Sequence, residues 1–147
     1  MKNHVYILDA CAIIALINDE NGAENIANLW LQASKKECSI RIHRINLLEA
    51  YYIISKEKGE KEAKTIVELI NADKSITIED TLAEIFYRAG QLKCLHRMSI
   101  ADAVAIATTI ALSEKDNPAK LVTADYKDIK PLEKSGAIDS KYFHWFR

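Results

Sequence analysis

Apolar positions along the chain follow two alternating periods. Strand-like runs stand at roughly 4–8, Cys38 to His43, Ser75 to Ile78, Lys120 to Ala124 and Tyr142 to Phe146. Between them apolar residues return every three or four positions, the period of a helix with one buried face. Ala23, Ile26, Ala27, Trp30 and Leu31 mark one such face, and Ala63, Ile66, Val67 and Ile70 another. A short helix carrying Ile13, Ile14, Leu16 and Ile17 follows the first strand, with Asn21-Gly22 as punctuation after it. Residues from Asn46 to about Glu57 read as a helix with Leu48 and Tyr52 inward, ended at Gly59. Leu82, Ile85, Phe86 and Ala89 define a further helix, and Ile129 to Lys134 a short one ended by Ser135-Gly136. Ile100 to Leu112 is apolar nearly all round, as expected of a helix buried on most sides at the centre of the core. This alternation predicts an α/β fold with a mainly parallel sheet, because parallel strands need helical crossovers between them.

At 147 residues and 49% hydrophobic, the chain has the length for one domain with a well-buried core, spanning residues 1–147. The apolar stretch from Ala103 to Leu112 is interrupted by Thr108 and Thr109 and is too short to cross a bilayer. Met1-Lys2-Asn3 leads into a strand without the apolar segment of a signal peptide, so a soluble, cytoplasmic protein is expected. Cys11, Cys38 and Cys94 are odd in number and lack C-x-x-C spacing, which points to three small apolar groups and away from disulfides or zinc. A formal charge of -1 excludes nucleic-acid binding by bulk positive charge. It leaves room for a local basic rim drawn from Lys35, Lys36, Arg41, Arg44, Arg97 and Lys127.

The chemistry is concentrated in four acids at element boundaries. Asp9 closes the first strand, Glu49 lies one turn into a helix, Asp102 fronts the buried helix and Asp125 ends the run Lys120-Leu121-Val122-Thr123-Ala124. If the runs are parallel strands, their carboxyl ends share one edge, where α/β proteins place their sites. Each acid also has a structural explanation. Asn46-Leu47-Leu48-Glu49 and Ser99-Ile100-Ala101-Asp102 resemble capping boxes, Asp9 suits a helix N-cap and Asp125 a turn. Asp102 is the hardest to explain this way, since a buried, unpaired carboxylate costs several kcal/mol or must stay neutral. An oxygen-only donor set without a convincing His or Cys partner suits Mg²⁺ or Mn²⁺. His4, His43, His96 and His144 are scattered, and there is no phosphate-binding glycine loop and no serine elbow. A haloacid-dehalogenase arrangement fails because Cys11 stands where its second acid belongs.

The runs Tyr6-Ile7-Leu8-Asp9-Ala10-Cys11-Ala12-Ile13-Ile14-Ala15, Asn46-Leu47-Leu48-Glu49, Ser99-Ile100-Ala101-Asp102-Ala103 and Leu121-Val122-Thr123-Ala124-Asp125 resemble, in this order, the PIN domain. The subgroup they are most similar to is that of the VapC-type toxin ribonucleases. The resemblance implies a three-layer α/β/α sandwich around a five-stranded, mainly parallel sheet. It further implies that Asp9, Glu49, Asp102 and Asp125 bind Mg²⁺ or Mn²⁺, with Thr123 orienting them and Asp128 an accessory residue. Position 11 is Cys where a serine or threonine hydroxyl is common nearby, and the family's Asp-Phe pair appears as Asp128-Ile129. The activity implied is hydrolysis of single-stranded or structured RNA by metal-activated water, by a homodimer that a cognate antitoxin blocks. Two other readings stay open at this point. One is an RNA-processing or DNA-directed nuclease of the same fold outside any toxin system, and the other a non-catalytic module that binds RNA or protein. Apolar residues on outer helices, such as Tyr51, are the expected dimer contacts.

Overall fold

The computed structural model describes residues 3–115 and 117–147. Five strands form one sheet: β1 (Val5–Leu8), β2 (Ser39–His43), β3 (Ile76–Glu79), β4 (Ala119–Thr123) and β5 (Phe143–Trp145). Their spatial order is β3-β2-β1-β4-β5 and every pairing is parallel. Helices α1 (Ala10–Ile17), α2 (Ala23–Ser34), α3 (Arg44–Lys58) and α4 (Glu60–Ala72) precede β3. Then come α5 (Phe86–Leu95), α6 (Ile100–Ser113) and α7 (Lys130–Lys134).

The period of two along the strands divides the core between the two faces of the sheet. Leu8, Ile40, Ile42 and Val122 pack with α1 to α4, whereas Val5, Ile7 and Leu121 pack with α5, α6 and α7. The result is the three-layer α/β/α sandwich that the resemblance implies. Helix α6 is buried without a break from Ala101 to Thr109. It tolerates two hydroxyls because Thr108 and Thr109 donate to the Val104 and Ala105 carbonyls of the preceding turn. At Asn21-Gly22 the chain turns through a left-handed glycine (φ 88°) into α2.

Several inward faces differ from the sequence reading. Leu31, Leu48 and Tyr52 are exposed, and α3 buries Leu47, Ala50 and Ile54 in place of Leu48 and Tyr52. Tyr51 is half-buried against the core. Helix α5 begins only at Phe86, which is exposed together with Leu82, so that Ala89 and Leu92 form its inner face. Cys38 is buried and Cys11 half-buried, but Cys94 is exposed.

The sheet starts at its centre, with β1 connecting outward to β2 on one side and pairing with β4 on the other. The carboxyl ends of β1 and β4 therefore flank the point where the strand order reverses, the place where open α/β sheets receive their ligands.

Candidate active site

Asp9 follows the last residue of β1 and caps α1, its Oδ1 accepting from the Ala12 N–H at 2.8 Å. The capping explanation therefore holds for one oxygen only. Oδ2 is buried and has no hydrogen-bond partner. Asp125 stands two residues beyond β4, where its N–H donates to the Thr123 hydroxyl at 3.2 Å and its Oδ1 accepts from the Asp128 N–H at 3.0 Å. That turn carries Asp128 back toward the sheet edge. In the first turn of α6, the Asp102 N–H donates to the Ser99 hydroxyl, which leaves the Asp102 carboxylate directed at the same edge.

One carboxylate oxygen from each of Asp102, Asp125 and Asp128 falls within 4.8 Å of the others. Asp9 and Glu49 are near enough to this group to feel its charge. Burial is the main force raising the Asp9 pKa to about 7, and repulsion from Asp125 and Glu49 adds to it. The Thr123 hydroxyl, which stands near Asp9 without completing a hydrogen bond to it, and the Ala12 N–H pull in the other direction. Asp102 is raised well above the usual carboxylate range, first by burial and then by Asp125, whose oxygen lies within 4.8 Å of its own. Glu49 is raised by partial burial and by Asp125. Three acids thus form a compact trio at the sheet edge, and Asp9 and Glu49 lie close enough for their charges to be felt there. Asp128, only an accessory residue in the sequence reading, has its carboxylate in the compact trio with Asp102 and Asp125.

Asn46 differs from its sequence reading. Helix α3 starts at Arg44 behind an N-cap at His43, whose Nδ1 accepts from the Ile45 N–H at 3.1 Å. Asn46 therefore lies inside the helix, buried, and donates from Nδ2 to the Ala101 carbonyl at 3.0 Å. This bond ties α3 to the first turn of α6 and so fixes Glu49 relative to Asp102. We expect Asn46→Ala to lower stability by about 1–2 kcal/mol, read by urea unfolding, since it removes a buried hydrogen bond and leaves a gap between two helices. Cys11 is half-buried beside Asp9, and burial and the Asp9 charge push its thiol up to about 12, so it remains a neutral, weak donor.

A divalent cation fits these residues. The donor set is all oxygen, the Asp9 Oδ2 is orphaned in a buried position, and carboxyls held at raised pKa lack the counter-charge that a cation supplies.

Fold and carboxylate cluster together define an α/β protein with an acidic site at the carboxyl edge of a parallel sheet. More narrowly, the chain belongs to the PIN domain family, whose model matches residues 6–131. No curated protein matches the sequence. Among solved structures, VapBC2 from Rickettsia felis, bound to a DNA fragment from its promoter, aligns at TM-score 0.67 and 22% identity, covering 96% of this chain and 98% of that one. A toxin-antitoxin complex from Klebsiella pneumoniae aligns at TM-score 0.62 and 16% identity over 95% of this chain and 99% of its own. The VapC20 toxin of Mycobacterium tuberculosis, described as cleaving the sarcin-ricin loop, aligns at 0.63 and 17% identity over 82% and 92%. At these identities the three establish a shared fold.

Proposed function

We propose that this chain is a metal-dependent endoribonuclease that hydrolyses single-stranded RNA and acts as the toxin of a toxin-antitoxin pair. The observation that carries the reading is the convergence of Asp102, Asp125 and Asp128 beside the orphaned Asp9 oxygen at the reversal point of the sheet. Asp9, Glu49, Asp102 and Asp125 would hold Mg²⁺ or Mn²⁺, with Asp128 next to them. When bound, the cation supplies Lewis-acid activation of water and neutralises charge on the phosphate.

The chain's own residues prepare that chemistry. Ser99 caps α6 and Asn46 ties α3 to its first turn, which keeps Glu49 near enough to Asp102 for its charge to be felt. Thr123 braces the Asp125 backbone and lies beside Asp9. Burial and Asp125 favour the protonated form of Asp102, and any proton it holds must leave when a cation binds, so metal affinity rises with pH.

The toxin role is supported by the fold shared with the Klebsiella toxin-antitoxin complex and the sarcin-ricin-cleaving toxin. An apolar groove of about 210 Å³ between α1, α2 and α4, with Ile13, Ile17, Trp30 and Leu69 in its lining, suits the apolar face of an antitoxin segment. Homodimer formation is part of the proposal, and Leu82, Phe86, Tyr87 and Ile100 are exposed apolar side chains that such an association would cover. No helix among the described residues is long and apolar enough to cross a membrane, and we place the activity in the cytoplasm, with residues 1–147 working as one unit.

The test is incubation of purified protein with end-labelled single-stranded RNA in Mn²⁺, Mg²⁺ or chelator. Cutting that requires the ion supports the reading. Absence of cutting together with absence of Mn²⁺ binding by calorimetry would remove it.

A further inference from the structure

We propose that Arg97 and Lys127 form a binding site for a backbone phosphate of the RNA flanking the one that is cut. The proposal rests on the nuclease reading and adds the path the substrate takes away from the acids. With a formal charge of -1, the chain must hold RNA by cations placed locally. Six basic residues are candidates, and the fold separates them. Lys35 and Lys36 follow the end of α2 and lead into the start of β2, at the edge of the sheet opposite the acids. Arg41 is paired with Glu79 and Arg44 with Asp80. Arg97 and Lys127 are exposed, and neither joins an ion pair or side-chain hydrogen bond among the described residues.

These two cations line one cleft of about 400 Å³, formed by His96 and Arg97 ahead of α6 and by Lys127, Asp128 and Pro131 beyond β4. Asp128 belongs both to this cleft and to the carboxylate trio, so the cationic site and the acidic site share a wall. Both walls are anchored. Lys93 donates to the Met98 carbonyl at 2.6 Å and Met98 is buried, while Ile129 and Leu132 are buried behind the other side. A guanidinium presents a planar fork to phosphate oxygens and an ammonium adds a compact charge, so a phosphodiester satisfies both. A strand whose scissile phosphate sits over the acids can then lay its next phosphate in this cleft, where the charge repelled by the carboxylates is held.

The experiment measures binding of a labelled single-stranded RNA by fluorescence anisotropy in chelator, over a range of salt, with a single-stranded DNA of the same sequence beside it. Arg97→Ala/Lys127→Ala is expected to weaken binding by about tenfold and to reduce the slope of log affinity against log salt by about 1.4, at about 0.7 per lost contact. RNA and DNA should lose affinity by the same factor, because phosphate contacts carry no sequence or sugar information. Arg97→Lys, which keeps the charge, should preserve the slope, and Lys35→Ala on the far edge should match wild type. Circular dichroism confirms that each variant is folded. Wild-type affinity and slope in the double variant, loss confined to RNA, or no nucleic-acid binding by any of these proteins would each overturn the proposal. Cleavage kinetics in Mn²⁺ separate this failure from failure of the nuclease reading: if the double variant cuts at wild-type KM, the nuclease stands and the phosphate site does not.

Discussion

In Mn²⁺, Asp102→Asn is expected to cut single-stranded RNA at least about a hundredfold more slowly than wild type, a loss of about 3 kcal/mol of transition-state stabilisation. Asp102 sits in the first turn of a helix buried on both sides, with Asp125 and Asp128 oxygens within 4.8 Å. Asparagine keeps the shape and the Ser99 cap, since that bond uses the Asp102 backbone N–H. What it removes is one negative charge where a cation needs it most. The variant should therefore fold normally, bind Mn²⁺ more weakly in calorimetry and lose cutting at every metal concentration a stability change cannot explain. A variant that cuts at the wild-type rate would mean that contaminating nuclease or a different site performs the reaction.

Much of this site is legible in the amino-acid order because boundaries carry its chemistry. Asp9 and Asp125 follow strands whose apolar runs are unmistakable, and the near-continuous apolar stretch behind Asp102 leaves its carboxylate no polar face of its own. The partners of those acids are less legible. Asn46 looks like a cap three residues before Glu49, and only the true start of α3 at Arg44 turns it inward to Ala101. Asp128 joins the trio because Asp125 Oδ1 accepts from its N–H, a turn geometry that periodicity does not encode. The inward faces of α3 and α5 are ambiguous in sequence for a related reason. Both helices carry large apolar residues on more than one side, so the pattern alone could not separate Leu47 and Ile54, which are buried, from Leu48 and Tyr52, which are exposed.

The burial of Asp9, with other acids close by, leads to an expected gain in stability from a loss of charge. Asp9→Asn should melt about 5 °C higher than wild type at pH 8 in chelator, equivalent to about 2 kcal/mol for a chain of this size. A carboxyl whose folded pKa lies above its unfolded value binds a proton on folding, so stability falls as pH rises between the two. For Asp9 that window runs from the ordinary 3.8 to about 7, a difference of about 4 kcal/mol at most, with the penalty fully present above it. Asparagine retains the oxygen that caps Ala12 and removes the buried charge that Oδ2 carries without a partner. At pH 4, where wild-type Asp9 is protonated in the folded state, the advantage should shrink toward zero. Saturating Mn²⁺ should reverse the order, because ligand binding to the native state stabilises wild type by mass action and the variant binds the ion poorly. A lower melting temperature for Asp9→Asn at pH 8 in chelator would show that the buried Asp9 charge carries no net penalty in the folded protein, and the candidate cation site would lose its electrostatic basis.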